Sequence, residues 1–144
     1  MEAGLQNGRG RGLVVADERE AEHGLGGELN ARIARAVVRI YHGTCGRGPT
    51  KARAIFRGNV VAVVLEQVLT QAEKSLVATG RCDEVVALRR ELHVAMRDEL
   101  ALAVGELTRC RVSAVMGDAQ CEPDLAVEVF VLDQAVMTTP IADG

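Results

Sequence analysis

The run Tyr41-His42-Gly43-Thr44-Cys45-Gly46-Arg47-Gly48-Pro49-Thr50 does most to restrict how this chain can fold. Upstream of it, Leu29, Ile33, Val37, Ile40 and Tyr41 recur at helical spacing, which predicts a helix over 28–42. Inside the run, three glycines loosen the backbone and Pro49 bars any continuation, so the helix must stop and the chain must turn. Arg47 is expected to be held out on the short, stiff loop that results.

Beyond the turn the period changes. Lys51–Arg57 alternates, Gly58-Asn59 supplies turn chemistry and Val60–Leu65 is an unbroken apolar run, which together predict a hairpin with a buried second strand. Thr70 and Glu73 fit a capping box that opens a short helix to about Thr79, stopped at Gly80. Asp83 opens the longest helix, whose core face carries Val85, Leu88, Leu92, Met96, Leu100, Ala103 and Leu107. Two more strands are expected over 112–116 and 126–132, with 117–124 as the loop between them. The order α-β-β-α-α-β-β implies an α+β fold: a two-layer sandwich with a four-stranded, mostly antiparallel sheet and helices on one face. Residues 1–27, rich in glycine and charge, are expected to be a flexible N-terminal segment; 28–133 form the folded domain and 134–144 a C-terminal tail.

A chain of 144 residues is one domain's worth, and with 2% aromatic residues its core must be aliphatic. No aromatic platform is available for stacking bases, and a net charge of −3 argues against a broad duplex-binding footprint, which makes nucleic acid an unlikely partner. Cys45, Cys82, Cys110 and Cys121 lie at wide, unequal spacings with no C-x-x-C pair and no secretory signal, so reduced thiols in a cytoplasmic protein are the expectation. No stretch approaches the roughly 20 apolar residues of a membrane span, so direct insertion is not expected.

Between Leu29 and Leu65 stand seven cations, Arg32, Arg35, Arg39, Arg47, Lys51, Arg53 and Arg57, without a single carboxylate. Two readings stand side by side. Charge runs are usually solvated surface, here paired with acids such as Glu66, Glu73, Glu91 or Asp98. Alternatively Arg47, framed by Gly46, Gly48 and Pro49 and flanked by Arg39, Lys51 and Arg53, forms a docking surface for an anionic partner. Enzymatic chemistry finds less support. His42 with Cys45 is a single loose ligand pair, His93 lies near the apolar face of the long helix as a packed or capping residue, and Asp118 and Asp124 read as turn formers. No serine or cysteine sits in a convincing arrangement with histidine and an orienting carboxylate. The expectation is a binding protein with no catalytic residues, cofactor or metal.

Tyr41 with Gly46-Arg47-Gly48-Pro49, the hairpin, Val68–Arg81, the Arg90–Asp98 stretch of the long helix, Glu106-Leu107-Thr108 and the strand Val127–Asp133 together resemble the MpsC family of small bacterial proteins. The resemblance implies a soluble accessory component of a Na+-translocating, membrane-potential-generating system, a kind of system linked to uptake of inorganic carbon. Its implied partner is a membrane-embedded, antiporter-like subunit, which would place this chain in the cytoplasm or at the inner face of the membrane. A homo-oligomer is left open. Against the commoner family pattern, His42–Cys45 looks inserted, and Arg109-Cys110 stands where glycine often follows Glu-Leu-Thr. The alternative from the residues alone is a ligand-sensing or nucleic-acid-binding regulator that turns the same cations on phosphates.

Overall fold

The structure, a computed structural model, describes residues 25–137. The expected flexible segment before residue 25 and the tail beyond 137 lie outside the described residues. Seven elements follow in order: α1 (Leu25–Cys45), β1 (Lys51–Arg57), β2 (Val60–Glu66), α2 (Gln71–Ala78), α3 (Cys82–Thr108), β3 (Val112–Gln120) and β4 (Leu125–Leu132). The strands form one antiparallel sheet in the order β1-β2-β4-β3. This is the expected α+β arrangement, with α1 and α3 packed on one sheet face. Ile33, Val37, Met96 and Leu100 meet Val61, Val63, Leu65 and Phe130 there, all essentially buried.

Helix α1 differs from expectation at both ends. Residues 25–27 are helical, and the helix runs on to Cys45 because only Gly46 adopts a left-handed angle (φ 77°) while its N–H bonds the His42 carbonyl at 3.0 Å. Gly43 stays helical at a cost of about 1 kcal/mol, offset by the extra turn that carries Cys45 inward behind the buried Tyr41. Helix α2 starts with the full capping box of Thr70 and Glu73. It ends in a Schellman motif in which Gly80 (φ 81°) and Arg81 donate back to Val77 and Leu76.

Strand β3 is longer than expected and absorbs Gly117-Asp118, leaving only residues 121–124 as the turn. Gly117 sits opposite Glu128 in the ladder, where a Cβ would lie 2.6 Å from the glutamate Oε1. The glycine therefore serves close packing inside a strand rather than a turn. The expectation of four reduced thiols also changes. Cys82 at the start of α3 and Cys121 in the β3–β4 turn come within 6.3 Å (Cα–Cα) and form a disulfide, while Cys45 and Cys110 are free.

Candidate functional site

The cations of the sequence reach two different layers. Arg32, Arg35 and Arg39 are exposed along α1, spaced so that they share a face, and with Ala103, Glu106 and Leu107 of α3 they line a groove of about 290 Å³. Lys51 and Arg53 project from the opposite face of the sheet, since Ala54 between them and Ile55 points into the core. Between the layers runs the Gly46–Pro49 loop. Gly48 lies against α1, its would-be Cβ 3.3 Å from Val38 and 3.6 Å from His42. Arg47 is not held out as expected: its guanidinium folds back and donates to the Leu69 carbonyl at 2.9 Å, tying the loop to the entry of α2.

The self-paired reading does not hold for the α1 arginines. Among the described residues, ion pairs join Arg81 to Glu84, Arg89 to Glu73 and Arg90 to Asp118, and neither Arg32, Arg35 nor Arg39 has a carboxylate within 4.0 Å. Three guanidinium groups on one helix face, without a carboxylate partner among the described residues and in a groove lined by the one acid Glu106, make a ready anion-binding surface.

Beneath this surface, charges are buried. Arg89, on the inner side of α3, donates from Nε to Glu73 Oε2 at 2.7 Å and from Nη2 to the Val68 carbonyl at 2.6 Å, and its Nη1 reaches Cys45 Sγ at 3.5 Å. A second bond joins Nη2 to Glu73 Oε1, and both side chains are about 5% exposed. Glu73 Oε1 also accepts the Thr70 N–H at 2.8 Å, so the capping carboxylate is fully satisfied. Burial alone would raise the Glu73 pKa, but the Arg89 and Thr70 hydrogen bonds outweigh it and hold the group below its ordinary value.

One turn further along α3 lies a second polar group in the core. Glu128, at the centre of β4, is fully buried and points toward the helices. The Tyr41 hydroxyl donates to its Oε2 at 2.6 Å, and His93 Nε2 shares a hydrogen with its Oε1 at 2.7 Å. Burial pushes the carboxyl above its ordinary value against the pull of Tyr41 and His93, and burial beside this acid pushes the Tyr41 phenol far up. A void of about 10 Å³, enough for about one water, adjoins the three side chains, Arg89 and Gly117. Glu128 and Arg89 were missed from sequence, whereas Glu73 was expected as the capping acid and as a candidate partner for a cation. Glu128 shares the inward phase of Ala126, Phe130 and Leu132 in β4, but the valines at 127, 129 and 131 leave that phase unmarked in the sequence.

Among the described residues no group of three or more His, Cys, Asp or Glu side chains could hold a metal ion, and no helix is long and apolar enough to cross a membrane. Asp118 pairs instead with Arg90, and the Asp124 carboxylate accepts the N–H groups of Val68 and Leu69. No curated protein and no solved structure matches the chain. A family sequence model described as "Na+-translocating membrane potential-generating system (MpsC)" matches residues 26–134, nearly all of the described domain, and the chain therefore belongs to the MpsC family.

Proposed function

We propose that this protein is a non-catalytic accessory subunit of a Na+-translocating, membrane-potential-generating system, docking through the arginine face of α1 and the adjoining Gly46–Pro49 loop. Its partner is an acidic surface of a membrane-embedded, antiporter-like subunit, reached from the cytoplasmic side. The observation that carries this reading is the row Arg32, Arg35 and Arg39, exposed in a groove and without a carboxylate partner among the described residues. Unpaired cations in such a groove speed encounter with an anionic partner and fix its orientation. An accessory protein biases a transporter without doing chemistry when it binds one conformation of that transporter more tightly than another. The test is co-purification from membranes with wild-type chain and with Arg35→Glu. Recovery of the antiporter-like subunit by the wild type, and its loss with Arg35→Glu, supports docking through α1. Recovery of nucleic acid or soluble regulators in its place favours the sensing alternative.

A further inference from the structure

We propose that Tyr41, His93 and Glu128 form a proton-binding site, in which one exchangeable proton is held by the Glu128–His93 pair and its presence sets how firmly α1 is fastened to the sheet. The inference stands on the core alone and is independent of the docking reading. Glu128 is fully buried in the central part of β4, yet its two oxygens are spent on two different elements: Oε2 on Tyr41 of α1 and Oε1 on His93 of α3. An acid placed in an aliphatic core at that cost, where a leucine would pack, is retained for something other than packing.

The hydrogens can be counted. With the proton bound, the pair carries two exchangeable hydrogens: one lies between His93 Nε2 and Glu128 Oε1, and the other is on His93 Nδ1. When the proton leaves from Nδ1, Nε2 keeps its hydrogen, and a full negative charge remains on Glu128 with Tyr41 as its second donor. Nδ1 offers the exit. It has no protein partner, and Asn30 Oδ1 is the one buried side-chain N or O without a partner among the described residues, so Nδ1 reaches solvent. Gly117 makes room for the pair itself, since a Cβ there would stand 2.8 Å from His93 Nε2 and 2.6 Å from Glu128 Oε1.

The surroundings decide what the lost proton does. Facing the pair are Tyr41 from α1, with Cys45 beyond it, Arg89 and Arg90 from α3, and Asp118 from β3. Arg89 is neutralised by Glu73 of α2 and Arg90 by Asp118, and β2 places only Val63 opposite Glu128. Among the described residues no unpaired cation faces the new charge, so the Tyr41 hydroxyl answers it with a charge-assisted and therefore stronger bond from α1. Burial, which favours the neutral carboxyl, acts in the opposite sense and holds the proton on the pair.

The experiment is a carbon-detected NMR titration of glutamate carboxyls and histidine rings in the full chain, with Glu128→Gln and His93→Gln assigning the signals. Expected is a Glu128 carboxyl that titrates above the ordinary carboxylate range, moves up by about one pH unit in His93→Gln, and is accompanied by a shift of the Tyr41 ring signals as its bond from α1 tightens once the proton is lost. A Glu128 midpoint near that of exposed glutamates, or one indifferent to His93→Gln, overturns the proposal. Should Glu128→Gln fail to fold, the wild-type and His93→Gln titrations still decide it.

Discussion

Arg89 is a charge with almost no water around it, held by a bidentate carboxylate, a carbonyl and a thiol drawn from three different parts of the chain. Replacing both partners of such a pair by apolar groups can be neutral, but removing one strands the other. Arg89→Leu should therefore cost about 3–5 kcal/mol by denaturant unfolding. Glu73 adds a pH signature: its depressed pKa gives stability that is present above the unfolded carboxylate value and lost as pH falls through the folded one. Arg109 shows the opposite economy. It occupies the left-handed C-cap of α3 (φ 56°) with a side chain where glycine would be unstrained. Arg109→Gly should raise unfolding stability by about 1 kcal/mol, a gain readable as a higher denaturation midpoint.

At the scale of elements, the β3–β4 turn is fastened twice to the helical layer. Cys121 is bonded to Cys82 at the start of α3, and Asp124 takes the Val68 and Leu69 N–H groups ahead of α2. Cys121→Ser should cost about 2–4 kcal/mol relative to the oxidised protein, and thiol titration of the unfolded, unreduced wild type should find two free thiols rather than four. The elements themselves were legible in sequence because capping, turn and period agreed: Thr70 with Glu73, Gly58-Asn59, and Val85, Met96 and Leu100 on the long helix. Leu88 of the same expected core face is exposed, however, and Arg89 beside it is buried in its stead. What stayed hidden has a physical cause. Strand β4 is apolar on both faces, with Val127, Val129 and Val131 outside and Ala126, Phe130 and Leu132 inside, so its period does not reveal which face Glu128 joins. Gly117 looked like a turn because a close side-chain approach leaves the same mark in sequence as a bend. Arg47 looked free because its acceptor is a backbone carbonyl, which has no signature in sequence.

The whole molecule is two layers with different electrostatic tasks: an arginine face on α1 turned outward, and a polar seam between helices and sheet turned inward. Tyr41 and Arg39 belong to the same helix, so the seam and the outer face are mechanically joined through α1. The seam makes stability fall on the high-pH side of the Glu128 titration. Because the Glu128 pKa is raised on folding, its stabilising contribution is full below the unfolded carboxylate value and fades as pH rises through the folded one. Glu128→Gln should therefore unfold with a stability nearly flat over the alkaline side of that window, where the wild type declines. The outer face carries the functional claim. Its most direct test is the affinity of the full chain for the purified antiporter-like membrane subunit, compared with an Arg32→Glu, Arg35→Glu, Arg39→Glu triple variant at low and high salt. Docking through α1 predicts binding weakened about tenfold or more by the reversal, with most of the salt dependence gone. Equal affinity of wild type and triple variant at both salt concentrations would contradict it.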